Sequence, residues 1–186
     1  MPLEEINMCS MATEEIIELI RSQSPLMDAK AIDVSNLVFE ERVRLNCFHC
    51  RRYNVNWTCP PNIPERDYHK LIREYDNALL VYCKIPVSKE KLDIVRREST
   101  NLLHRALLAA EKHLWDNDYP LAISFIGGSC KLCAQGCDPH GCRQPTLARI
   151  PLEATGVNVV KSAESVGIEI KFPPTEHLYR VGLLLW

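Results

Sequence analysis

The sequence carries no surplus of charge of either sign. Lysines and arginines number 22 against 24 acidic residues, a formal net charge of −2 with a pI near 6.3. Proteins that bind nucleic acid carry a basic surplus, so no nucleic-acid partner is expected. Long apolar runs are missing as well. Ala78 to Cys83 is among the longest, and a bilayer needs about 20 such residues, so no membrane partner is expected either. The start, Met1-Pro2-Leu3-Glu4-Glu5-Ile6, is acidic and lacks the apolar core of a secretory signal, which points to a cytoplasmic protein. There is no G-x-S-x-G, phosphate loop or G-x-G-x-x-G, and no C-x-x-C-H for attached haem. Whether the chain is an enzyme is therefore open.

Cysteine, by contrast, is abundant: nine in 186 residues. In a cytoplasmic chain that number argues for metal ligation rather than disulfides, and the odd count fits a disulfide framework poorly. Four of them, Cys130, Cys133, Cys137 and Cys142, fall in a stretch of thirteen residues, with two, three and four residues between them. Thiolates this close in sequence lose little loop entropy when drawn round one centre. Soft thiolates in fours select zinc or an iron–sulfur cluster. Successive cysteines two or three residues apart are the iron–sulfur pattern, whereas structural zinc favours two separated C-x2-C knuckles. The loop is accordingly read as a [4Fe–4S] site, with zinc as the alternative.

A second group, Cys47-x2-Cys50-x8-Cys59, supplies three thiols, the last followed by Pro60-Pro61 on an expected rigid, extended segment. Its fourth ligand is left open between Cys83, His49 and His69, an iron open to a substrate or partner, or no cluster at all. Cys9 reads as an incidental thiol and Cys83 as a small core residue. His104 and His113, nine residues apart on one helix, read as ordinary helix residues. Arg51, Arg52, Lys131 and Arg143 flank the cysteines, where cations raise a cluster's potential or dock an acidic partner. Gly127, Gly128, Gly136 and Gly141 serve turns or donate N–H groups to sulfur. Glu153 and Glu164 read as helix-surface residues.

The pattern of the chain suits a single α/β domain of 37–186 preceded by an N-terminal helical arm, 1–36. Thr13 is expected to cap a helix ending before Pro25, with a short turn near Asp28–Ala31 and a half-buried strand over 37–45. A helix is expected from Pro64 to Tyr75, a buried strand over Ala78–Ile85 and a long helix from about Lys89 to Trp115, capped by Ser88. Strands are expected over 121–126, 168–172 and 177–186, with a helix over 157–166. The strand, long helix and strand between 78 and 126 form a β-α-β unit in a mixed sheet, with both cysteine groups gathered at one end.

With both groups in view, the chain resembles a family of small cysteine-rich predicted metal-binding proteins of anaerobic bacteria and archaea, a domain of unknown function. The resemblance rests on Cys47-x2-Cys50 with Cys59-Pro60-Pro61, on Gly127-Gly128-Ser129-Cys130-Lys131-Leu132-Cys133, and on Cys137, Cys142-Arg143-Gln144-Pro145 and Glu153-Ala154-Thr155-Gly156-Val157-Asn158-Val159. Tyr53-Asn54 stands where the family has Tyr-Gly, and Ala134-Gln135-Gly136 makes the second group one residue longer. The resemblance implies metal or iron–sulfur binding in an anaerobic prokaryote and no established reaction. The expected function is an iron–sulfur protein with one or two [4Fe–4S] clusters, serving electron transfer to, or activation of, a larger anaerobic enzyme complex. An enzyme with an open-iron cluster at Cys47, Cys50 and Cys59, or a structural zinc interaction module, are the alternatives.

Overall fold

Four strands and five helices organise the chain in this computed structural model, which describes residues 3–87 and 92–186, with side chains outside 3–11 and 92–94. Helix α1 spans Leu3–Gln23 and leads into strand β1, Met27–Ala31. Helices α2, Glu41–Phe48, and α3, Tyr68–Ile72, precede strand β2, Ala78–Pro86. Helix α4, Leu92–Asp116, is followed by strand β3, Ile123–Phe125. Helix α5, Val159–Ser165, and strand β4, His177–Leu185, complete the chain.

The sheet has the order β1-β2-β4-β3, and every neighbouring pair is antiparallel. The expected β-α-β crossover exists in altered form. Strands β2 and β3 run in the same direction and α4 connects them, but β4 is inserted between them. A strand from the far end of the sequence takes the slot that adjacency would have given to β3.

Both faces of the sheet are covered, and the register of β2 shows it. Leu79, Val81 and Cys83 join one core with Ile16, Ile17 and Ile20 of α1 and Leu103, Leu107 and Leu114 of α4. Ala78 and Leu80 point the other way, to a second core with Tyr68, Ile72, Phe125, Leu152 and Val157. Side chains alternate along a strand, so a continuous apolar run feeds two cores at once. Each fully buried aliphatic side chain contributes on the order of 2 kcal/mol.

Several sequence expectations are corrected. Residues 41–48 form a helix rather than a strand. The alternation of Arg42, Val43, Arg44 and Leu45 is too short to decide a period, and none of α2 is buried, Leu45 and Phe48 being over half exposed. The helix expected from Thr13 begins at Leu3. Residues 27–31 are a strand rather than a turn, paired with β2. The helix over 64–75 shortens to Tyr68–Ile72, because Asp67 Oδ1 caps it by accepting the Lys70 N–H at 3.0 Å. Residues 168–172 join no ladder: β4 already has partners on both sides, and β1 and β3 form the edges. The proposed capping by Ser88 and the side chain of Cys9 lie outside the described residues.

Candidate metal centre

The first cysteine group is built where α2 ends. Cys47 lies in the last turn of the helix, and the Cys50 N–H donates to its carbonyl at 3.1 Å. The chain then runs through successive turns to residue 63, so Cys59-Pro60-Pro61 is curled rather than extended. Asn54 takes φ 54 and donates its N–H to the Pro60 carbonyl at 2.9 Å, closing the loop on itself. Asparagine tolerates this left-handed conformation. Cys59 is buried, Cys47 half-buried and Cys50 exposed. Burial, chiefly, pushes the Cys59 thiol up to about 12, with Cys50 and Cys47 adding to it. Cys47 is raised for the same reason, with Glu153 the next contributor.

The second group begins just after β3. Gly127 passes against β4 so closely that a Cβ there would lie 2.5 Å from the Val181 carbonyl oxygen. Gly128 follows with φ 74, a conformation that costs glycine nothing. Cys130, Cys133, Cys137 and Cys142 are all half-buried. Cys130 is raised mainly by burial, opposed by the backbone at Leu132 and reinforced by the other three thiols of its group. Gln144 Nε2 donates to Cys133 Sγ at 3.5 Å, a direct hydrogen bond to a candidate ligand. Two of the loop glycines do not serve sulfur: the Gly128 N–H goes to Glu153 Oε2 at 3.1 Å and the Gly136 N–H to the Cys133 carbonyl at 3.2 Å.

The structure brings the two loops together. Buried Asn56, from the first, donates its Nδ2–H to the Cys130 carbonyl at 3.0 Å. Trp57 donates its indole N–H to the Asp138 carbonyl at 2.8 Å. Cys50 lines two cavities. One, of about 310 Å³, also holds Cys47, Cys59, Gly128, Ser129 and Glu153. The other, a cleft of about 1060 Å³, is shared with Cys130, Cys133, Cys137 and Cys142. The candidates for a fourth ligand of the first group lie elsewhere. Cys83 is fully buried in the α1–α4 core, its thiol pushed up to about 11 by burial. His69 packs edge-on against Phe39 and His49 against Phe48.

Glu153 is the residue that sequence reasoning misplaced. It sits in a 3-10 turn, Leu152–Thr155, facing the cysteines rather than solvent. Burial raises its carboxyl above the usual range, while Gly128 N–H, Arg180 and Lys131 favour its charged form. Lys131 is lowered to about 8, first by burial and then by the neighbouring Arg180 and Arg52. Its ammonium donates to Thr100 Oγ1 at 3.2 Å and to the Ser129 carbonyl at 3.1 Å. Arg180 was also missed, although a cation within an otherwise apolar last strand was a visible signal.

Behind the second loop stands a buried polar lock. Arg149 makes a forked ion pair with Glu111 of α4, with Nε 2.8 Å from Oε1, and Ser124 of β3 donates to the same carboxylate. His104 of α4, fully buried, donates Nε2–H to the Leu147 carbonyl at 2.8 Å. Because a carbonyl only accepts, Nδ1 is the unprotonated nitrogen, and burial lowers the imidazole to about 4. The segment after Cys142 is thus fastened to α4 and β3 independently of the thiols.

Seven thiols in two neighbouring groups, carried on turns and loops that can adjust, are a donor set suited to soft metal centres. Within each group the thiols are near enough to act on one another's ionisation. Among the described residues, no three histidine, cysteine or acidic side chains are drawn in around a single ion. No described helix is long and apolar enough to cross a membrane. No curated protein and no solved structure matches the chain. A family model does, over residues 30–186, a span that includes both cysteine loops, strands β2 to β4 and the last two residues of β1: the chain belongs to the DUF2284 family of predicted metal-binding proteins.

Proposed function

We propose that the chain is an iron–sulfur protein that carries electrons to, or helps activate, a larger enzyme system. Cys130, Cys133, Cys137 and Cys142 hold one [4Fe–4S] cluster in this reading. Cys47, Cys50 and Cys59 hold a second centre beside it. The observation that carries the proposal is the pairing of the two loops through Asn56 and Trp57, with Cys50 bordering the cavities of both groups. Two redox centres held side by side form a path for an electron. A chain without a recognisable substrate motif gains its use from a protein partner, in the cytoplasm of an anaerobe.

Iron, sulfide and zinc content per chain after anaerobic purification, with a visible spectrum and a redox titration, test this. Matching iron and sulfide with reversible reduction in the absence of substrate is expected. Zinc without sulfide in a colourless, fully loaded protein would sink the proposal and favour a structural zinc module.

One observation supports a second reading. The smaller cavity beside the three-thiol group is mostly apolar-walled and contains Glu153, with none of the anticipated fourth ligands in it. A cluster there would keep one iron open, as Lewis-acid chemistry requires. Adding a small ligand such as cyanide would then change the spectrum of that centre alone.

A further inference from the structure

Three thiols leave the first group one donor short of a closed site. The small cavity they border is the space the centre itself fills, so the side chains lining it are the ones that can touch a metal there. Among the described residues it holds no histidine, and no cysteine beyond Cys47, Cys50 and Cys59. Of its other polar side chains, Asn46, Tyr53 and Ser129 are neutral, Arg52 is a cation that only donates, and Glu153 alone is an acid.

The fold sets Glu153 there by backbone bonds on both sides of its turn. The Leu152 N–H donates to the Ile126 carbonyl, just after β3, at 2.8 Å. The Glu40 N–H, at the start of α2, donates to the Gly156 carbonyl at 2.9 Å. The same helix carries Cys47 in its last turn. The carboxylate is near enough to Cys47 and Cys59 to act on the ionisation of both. Its Oε2 accepts the Gly128 N–H at 3.1 Å. Arg180 and Lys131 favour its charged form, but among the described residues neither makes an ion pair with it. Lys131 donates to Thr100 and Ser129, and Arg180 Nε to Ser99 Oγ at 3.4 Å. An acid gathered with three thiols in a mostly apolar-walled cavity disfavours the ionised form of each group. A bound metal cation reverses the sign of those interactions. Iron and zinc both accept carboxylate oxygen beside thiolate sulfur.

We propose that Glu153 is the fourth ligand of the first centre, which then has three thiolates and one carboxylate. The proposal rests on the reading of Cys47, Cys50 and Cys59 as a metal site, and not on which metal they hold. A carboxylate is a harder donor than a thiolate and is held less tightly by soft centres. The first centre is therefore closed at rest but exchangeable, whereas four thiolates close the second. Displacement of Glu153 by a small ligand gives the open metal position.

The test compares the full, anaerobically purified chain with Glu153→Gln. Glutamine keeps an oxygen to accept the Gly128 N–H and removes the anionic donor. The metal missing from Cys59→Ala identifies the first group's share. Release of that share to pyridylazoresorcinol, which reports iron and zinc alike, is expected to be about tenfold or more faster in Glu153→Gln. In the iron-loaded chain, methyl isocyanide should bind about tenfold or more tightly in the variant, because no carboxylate has to leave. This ligand is uncharged, so loss of the acid's charge alone does not change its affinity. Unchanged release, unchanged isocyanide affinity in an iron-loaded chain, or equal loss of metal from both groups would each overturn the assignment. Zinc without sulfide would end the electron-transfer reading and leave this one standing, to be decided by the release rates. A first group that takes up no metal would overturn both.

Discussion

The two cysteine groups are neighbours built in opposite physical ways. The first hangs from the end of an unburied helix, closes on itself through turns, and sets Cys47 and Cys59 in an apolar-walled cavity where burial disfavours their thiolates. The second is half-open to a cationic cleft and is held from behind by the Glu111–Arg149–Ser124 lock and by His104. One loop is positioned by its own backbone, the other by the core of the domain. In the proposed reading, the second site is closed by four local thiols and the first needs something more.

The sharpest way to break the comparison is to remove a thiol from each group. Cys137→Ala is expected to abolish the second centre and leave the first, and Cys59→Ala the reverse. Iron and sulfide per chain would separate the two. Loss of both centres from either variant would show that the groups form one site.

Disrupting the lock behind the second loop should have the next greatest effect. Arg149→Leu leaves Glu111, almost wholly buried, without its counter-charge. A destabilisation of about 3–5 kcal/mol is expected, read from the urea midpoint. Gly127→Ala adds a Cβ facing rigid backbone at Val181 rather than a movable side chain. About 3 kcal/mol is expected, in the range of overpacking, with the second centre disturbed more than the first.

His104 gives the same region a pH dependence of definite sign. Its imidazole falls from 6.5 in the unfolded chain to about 4 in the fold, so the unfolded chain binds the extra proton between those values. This contribution is fully present above about pH 6.5 and is lost as pH falls through about 4, on the order of 3 kcal/mol in all. Urea midpoints of the native chain and His104→Leu should therefore differ in slope across that window. A parallel pair of curves would contradict the assignment. The smallest effect is expected at the rim: Arg143→Ala removes a pair with Asp138 in which both side chains are a third to half exposed, costing about 1 kcal/mol or less.

Much of the secondary structure was legible because long elements carry strong periods. The α4 stripe of Leu103, Ala106, Leu107, Ala110 and Leu114 is buried as its spacing predicts, and the apolar run of β2 serves two cores. Short segments were less legible. Residues 41–48 and 168–172 both alternate, yet one is helical and the other unpaired, because a strand exists only where a neighbour offers a ladder. Cys83 sits in the core, as its reading as a small core residue expected, whereas the full burial of His104 was not anticipated.

The chain's own order determined which thiols are near each other, since ligands within a few residues meet at small entropic cost whatever the fold. It also determined that the donors are soft and that the core is ample. Only the tertiary structure decided that β4 would enter between β2 and β3, that Glu153 would turn from surface to cysteine cavity, and that arginines from α4, β4 and the first loop would share one cleft. Those are contacts between residues tens to more than a hundred positions apart. Local periodicity carries no record of them, because they arise only when two cores close on opposite faces of the same sheet.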